Sequence, residues 1–284
     1  MPLTNALIKD TCSDLEQTYV DYLVDHFGDW EVWAKASQRV ADREKVSEEE
    51  IPEAFRTEFK IMKVIVEMED LGKFDWNNPA LTGLFGELAQ GSFYTFFGDT
   101  ITKIALRLAD AAGVSTLLEI GAGKANLTRI MLNQMAHMNI SKPIVTTDAQ
   151  PVILENIEKL RSEYPQAPLQ SLLWNITAPP PEDLRAAIKP PALLYERYTL
   201  NYANVSAIKN ISQVADILVL GDWFNYTGAL YAYDEVFQKI GAKPFFYKDI
   251  KPLLDEYFPN QHVFDQRAID AIKLPNITLL IAWK

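Results

Sequence analysis

The chain has 284 residues, 48% of them hydrophobic and 23% charged, the composition of a folded globular protein with room for one large domain or two modest ones. Its formal net charge of −11 repels phosphate, and no Lys/Arg stripe with interleaved aromatics offsets it, so no nucleic-acid partner is expected. The single cysteine, Cys12, excludes an intrachain disulfide and a cysteine-based zinc site; no apolar run approaches the ~20 residues of a membrane helix, and residues 1–13 lack the order of a signal peptide, so a cytoplasmic protein with no membrane partner is expected.

Residues 1–110 read as an all-helical cap. Ser13 with Glu16 and Ser47 with Glu50 have capping-box spacing, each marking an expected helix start. Between them runs an aromatic stretch with Tyr19, Tyr22, Phe27, Trp30 and Trp33, and Gly72, Asn77, Asn78 and Pro79 mark a loop. Residues 99–112 form a further expected helix, with Ile101, Ile104, Ala105 and Leu108 on one face. From residue 111 to 284 short apolar runs alternate with amphipathic helices. Strands are expected at 116–120, 144–147, 169–174, 192–195 and 217–220, and helices at 124–138 and 152–164. Two more strands, at 262–266 and 277–283, would close the sheet as an antiparallel hairpin. The pattern predicts an α/β fold, a seven-stranded, mostly parallel Rossmann-like sheet behind the helical cap.

The chemistry concentrates in Leu117-Leu118-Glu119-Ile120-Gly121-Ala122-Gly123, a strand entering a glycine turn before a helix. Ligands of open α/β sheets bind beyond the carboxyl ends of the strands, where glycines let the backbone come close. Asp148 ends the next strand, placed to accept hydrogen bonds from both hydroxyls of a ribose. A dinucleotide fingerprint needs a third glycine where Asn126 stands. Glu119 would repel a pyrophosphate and suits the ammonium of an amino acid. S-adenosylmethionine carries an adenosine, an ammonium and no phosphate.

The segment LLEIGAGKANLT resembles the first motif of class I S-adenosylmethionine-dependent methyltransferases, with Ala125 in place of the last glycine of that motif. Asp148 and Ala149, in IVTTDAQP, resemble the ribose-binding segment. Trp174, Asn175 and Ile176 resemble the segment that flanks adenine, with Asn175 where an aspartate often accepts from the adenine amino group. LLYERYTLNYAN is similar to the fourth strand and its loop, and ITLLIAWK to the closing strand; the likeness spans residues 92–284. Its nearest flavour is the small-molecule group that includes polyketide synthase methyltransferase domains. The resemblance implies S-adenosylmethionine as cofactor and a small apolar or aromatic acceptor, methylated at oxygen, carbon or nitrogen, mainly by positioning and exclusion of water. It implies cofactor contacts at Glu119, Gly121, Ala122, Gly123, Asp148, Ala149, Trp174, Asn175, Ile176 and Arg197, with Tyr94 and Phe97 closing over the methionine. Glu196, Tyr202 and Asp222 are the candidate catalytic groups, and Tyr198 and Asn201 are candidates to orient the acceptor. Trp30, Trp33 and Trp76 are candidates for an apolar acceptor pocket, and core packing accounts for them equally. His26 lies beside the aromatic stretch, and no His with Asp/Glu cluster marks a metal site. Exposed aromatics in the cap would suit a homodimer. The alternatives are a non-catalytic protein on the same fold and a nucleotide-dependent oxidoreductase.

Overall fold

A computed structural model of the chain describes residues 3–72, 79–200, 203–239 and 245–284. The N-terminal region is helical: α1 (Asn5–Phe27), α2 (Trp30–Ala41), α3 (Arg56–Asp70), α4 (Pro79–Gln90) and α5 (Ser92–Ala111). The expected start at Ser13 is overturned. Ser13 is exposed within α1, whose start lies earlier because Thr4, in extended conformation, takes the Leu7 N–H on its Oγ1 at 3.2 Å. The Ser47–Glu50 box does form, on a single 3₁₀ turn at Glu48–Glu50. Helix α5 begins earlier than the expected residue 99, so Phe93, Tyr94 and Phe97 lie in its first two turns. Ile101, Ile104, Ala105 and Leu108 are fully buried, since α5 lies against the sheet rather than above it.

The remainder runs β1 (Thr116–Ile120), α6 (Asn126–Met138), β2 (Ile144–Asp148), α7 (Val152–Glu163), β3 (Leu169–Leu173), α8 (Glu182–Ala187), β4 (Ala192–Arg197), α9 (Ala207–Ile211), β5 (Ile217–Asn225), α10 (Ala232–Gln238), β6 (Phe245–Phe246), α11 (Tyr247–Tyr257), β7 (Asn260–Val263), α12 (Gln266–Ile272) and β8 (Asn276–Trp283). The sheet order is β3-β2-β1-β4-β5-β8-β7, with the two-residue β6 pairing β5 as an eighth strand. β1 to β5 are parallel, and β8 runs antiparallel to β5 and β7. The seven-stranded, mostly parallel sheet expected from the sequence is present. The closing pair departs from the expected hairpin: β7 ends at Val263 and α12 fills the connection.

Strands β1 and β8 are buried along their whole length, as strands covered on both faces must be. On α6, Leu127, Met131 and Met135 are buried and Ile130 and Met138 partly so, as the helical spacing requires. Strand order reverses between β1 and β4, and that switch point opens the crevice in which an open α/β sheet takes its ligand.

Candidate functional site

The carboxyl ends of β1, β2, β4 and β5 meet at this crevice. After β1 the chain turns through Gly121 (φ +64°), Gly123 (φ +53°) and Ala125 (φ +60°), all left-handed. A Cβ at Gly121 would collide with the Thr199 side chain, so only glycine fits. Thr199 is held over the turn by its own bonds: its Oγ1 donates to the Ile120 carbonyl at 3.1 Å, and its N–H donates to Glu196 Oε2 at 2.8 Å. At Gly123 an added Cβ would meet only the Gly121 carbonyl, at 3.8 Å, so the turn leaves open space there.

Asp148 stands at the end of β2, partly exposed, beside this space. Its Oδ2 accepts the Gly123 N–H at 3.1 Å and its Oδ1 the Gln150 N–H at 2.9 Å. Each carboxylate oxygen keeps acceptor capacity for a further hydroxyl. Ala122 is buried and donates its N–H to the Thr147 carbonyl at 3.1 Å, while Ala149 is exposed next to Asp148.

Glu119 stands near the end of β1. It is buried, and its Oε2 accepts from Thr128 Oγ1 at 2.8 Å and from the Tyr195 hydroxyl at 3.0 Å. Burial pushes its carboxyl up to about 7, against the opposing pull of those two donors and of Arg197. One face of this acid ties α6 and β4 to the end of β1. Neither Thr128 nor Tyr195 carries a sequence signal for that role, because the contact joins separate elements.

At the far side of the crevice Trp174 is buried and donates Nε1–H to the Ala178 carbonyl at 3.0 Å. Ile176 is buried beside it, with its carbonyl taken by Asn210 Nδ2 at 2.9 Å. Asn175 is exposed, and its amide oxygen accepts both the Thr177 N–H at 3.1 Å and the Thr177 hydroxyl at 2.8 Å. That turn uses the acceptor which the resemblance assigns to the adenine amino group.

Glu196 and Asp222 come together on adjacent strands, both fully buried. Glu196 stands inside β4 rather than beyond it, and Asp222 and Trp223 lie within β5, which runs on to Asn225 through a register shift between Gly221 and Phe224. Burial first, and the neighbouring Asp222 carboxylate second, push the Glu196 carboxyl well above the usual carboxylate range. Glu196 Oε1 has no hydrogen-bond partner among the described residues. Gly221 precedes Asp222, and a side chain there would strike Ile101 and come within 3.0 Å of the Glu196 carbonyl and of Phe97 Cζ.

Arg197 crosses to the helical region. Its Nη1 donates to the Tyr94 carbonyl at 2.7 Å and passes over Gly98, where a Cβ would sit 2.8 Å from it. Tyr94, Phe97 and Trp223 surround Tyr198 with ring centroids 5.1, 5.4 and 6.4 Å away. Phe93, which the sequence reading did not single out, extends this seam to His26 at 5.6 Å and Trp223 at 5.9 Å. His26 is one ring removed from the crevice, and burial lowers its pKa, keeping it neutral. Trp30 and Trp33 are buried, Trp30 donating Nε1–H to the Ile272 carbonyl at 2.7 Å and Trp33 stacking on Phe55 at 5.8 Å. Asn201, Tyr202 and Trp76 lie outside the described residues. Among the described residues no group of three or more metal-ligating side chains forms, and no helix is long and apolar enough to cross a membrane.

No family model matches the chain, and no curated protein is similar to it in sequence. Solved structures resemble it in fold. The CMeT domain of the citrinin polyketide synthase superposes with a TM-score of 0.61 at 14% identity, over 80% of this chain and 65% of that one. The DszA carbon methyltransferase gives 0.63 at 14% identity, over 81% and 66%. The CurJ carbon methyltransferase gives 0.59 at 13% identity, over 99% and 94%. The chain therefore spans just under two thirds of the length of the first two and nearly all of the third. The chain shares the fold of these structures, its helical region included: the match to the CurJ carbon methyltransferase runs through both parts of the chain.

Proposed function

We propose that the protein binds S-adenosylmethionine in the crevice between β1, β2 and β4 and transfers its methyl group to a small apolar or aromatic acceptor, at oxygen, carbon or nitrogen. The observation that carries this reading is Asp148 beside the open turn at Gly123, a carboxylate with spare acceptor capacity next to backbone that leaves room for a ligand. The residues present fit the cofactor. Asp148 would hold the ribose, Trp174 and Ile176 would floor the adenine, and the glycine turn would lie under the methionine. Glu119 would act from beneath the turn, setting its shape and lending negative potential to the ammonium. With Asn175 committed to Thr177, adenine would be held by apolar contact more than by its amino group.

When bound, the cofactor supplies an electrophilic methyl group on a sulfonium. The protein's own part is positioning, water exclusion and proton transfer. Helix α5 and the aromatic seam shut water out above the crevice. Arg197 pins α5 to the rim through the Tyr94 carbonyl. Burial and the neighbouring Asp222 carboxylate favour the protonated form of Glu196, so its unpartnered Oε1 would act as a proton or hydrogen-bond donor rather than as a base. We assign residues 1–110 to the substrate-covering part and 111–284 to the cofactor-binding part, with α5 shared between them by packing, and place the protein in the cytoplasm.

Calorimetric titration with S-adenosylmethionine and S-adenosylhomocysteine tests the reading. Micromolar binding is expected, weakened by about tenfold or more in Asp148→Ala through loss of a charged hydrogen-bond acceptor. Absence of binding to the unaltered protein at millimolar ligand would refute it.

A further inference from the structure

Tyr198 carries a feature that the methyl-transfer reading leaves without a role. It is a bulky residue in the left-handed region, at φ +60°, directly after the rim residues Glu196 and Arg197. Such a conformation is costly for a side chain with a Cβ and persists only where the surroundings fix it. Here its N–H donates to the Gly221 carbonyl at 2.8 Å, and the following Thr199 N–H is held by Glu196. The strained backbone aims a phenol between Tyr94 of α5, Phe97 and Trp223. At the end of that phenol is a buried hydroxyl with no hydrogen-bond partner among the described residues. Buried polar groups are nearly always paired, and an orphan at a rim built at conformational cost indicates that its partner is a ligand.

The surroundings define which ligand. Arg197 and Asp222 both act on the Tyr198 hydroxyl, with opposite signs, and Tyr94 and Tyr19 add two further phenols. A carboxylate or phosphate there would be opposed by Asp222, and an ammonium by Arg197. An uncharged oxygen is opposed by neither. The walls are aromatic on three sides, so the body bearing that oxygen is apolar or aromatic.

We propose that Tyr198 is the specificity-determining residue of the acceptor site, its hydroxyl pairing with an uncharged carbonyl or hydroxyl oxygen on an apolar or aromatic acceptor. The proposal deepens the methyl-transfer reading and rests on it only for naming the ligand the acceptor. Entry to the hydroxyl requires the half-buried ring of Tyr94, the nearest of the three, to swing aside.

Three fragments of similar size test it on the full chain: acetophenone, with a neutral carbonyl; ethylbenzene, without oxygen; and benzoate, an anion. Affinities are measured by ligand-observed NMR, with and without S-adenosylhomocysteine, for the unaltered protein and Tyr198→Phe. Acetophenone is expected to bind the unaltered protein about tenfold tighter than ethylbenzene, with benzoate weakest, as one buried hydrogen bond to an uncharged partner allows. Tyr198→Phe removes the oxygen alone, so the two neutral fragments converge while affinity for S-adenosylhomocysteine and thermal unfolding stay unchanged. Equal affinities in the unaltered protein, a preference that survives Tyr198→Phe, or no acetophenone binding at its solubility limit would each overturn the proposal. Failure of S-adenosylhomocysteine to bind either protein would sink the methyl-transfer reading separately, because the fragment ratio is also read without it.

Discussion

Glu119 shows how one residue type serves two chemistries. As a carboxylate before a glycine turn it reads as a ligand for an ammonium. Its Oε2 accepts from Thr128 and Tyr195, and burial pushes its carboxyl up to about 7 from an ordinary value of 4.5. A raised folded-state pKa stabilises the fold below the unfolded value and loses that contribution as pH rises through the folded one. Stability should therefore fall between pH 4.5 and about 7, by an upper bound of about 3 kcal/mol from this group. Glu119→Gln keeps an acceptor oxygen and removes the titration, so urea unfolding across that window should show a flatter pH dependence. An unchanged slope would locate the titrating group elsewhere. The Glu196–Asp222 pair makes a sharper case. Removing the like charge with Asp222→Asn should lower the Glu196 pKa, moving the infrared band of its protonated carboxyl to disappear at lower pH. Gly121→Ala should destabilise by about 2 kcal/mol or more, since the left-handed φ and the Thr199 side chain both oppose a Cβ; chemical denaturation checks it.

Elements are tied together by buried polar chains that cross long stretches of sequence. Thr278 Oγ1 donates to Asp265 Oδ2 at 2.6 Å, so the Tyr19 hydroxyl, 2.8 Å from Thr278 Oγ1, must be the donor to it. Thr278 N–H reaches the same Asp265 oxygen at 2.7 Å. The chain fastens α1 to β8, and Trp30 fastens α2 to the end of α12 through the Ile272 carbonyl. These bonds make α1 part of the framework rather than a loose lid. Tyr19→Phe leaves the Thr278 hydroxyl without its donor but keeps the ring stacking on Phe96 and Phe97, so a loss of about 1 kcal/mol is expected in thermal or urea unfolding. A loss near zero would mean that the fastening is carried by ring packing alone.

At the scale of the whole molecule, ligand binding and folding are linked. A ligand that binds only the native protein stabilises it by about 2.7 kcal/mol at a hundred times its Kd. S-adenosylhomocysteine should therefore raise the unfolding temperature in a concentration-dependent way, and Asp148→Ala should shift that dependence to higher concentration. Much of this architecture was legible in the chain. Short apolar runs located β1 to β5 and period-3.6 patterns located α6 and α7, and the glycine turn and Asp148 fall at the ends of β1 and β2 as the spacing implies. Strand ends were less legible: β5 runs past Leu220 because Gly221, Phe224 and Asn225 find partners on β8, a pairing no local pattern records. The helix start at Ser13 was misread because a three-residue Ser–Glu spacing fits the middle of a helix as well as its beginning.

What the sequence determined by itself is local. Apolar periodicity sets which segments become strands or helices, since burial depends on which side chains share a face. Glycine sets where the backbone turns left-handed, since only its missing side chain permits that at Gly121. What the tertiary structure decided is which groups lose water together. Glu196 and Asp222 become a coupled pair only when β4 and β5 align, Glu119 becomes an internal tether only when Thr128 and Tyr195 close on it, and the Tyr198 hydroxyl becomes an orphan only when α5 covers it. Desolvation belongs to the assembled surface and not to any residue, so no spacing in the chain encodes it.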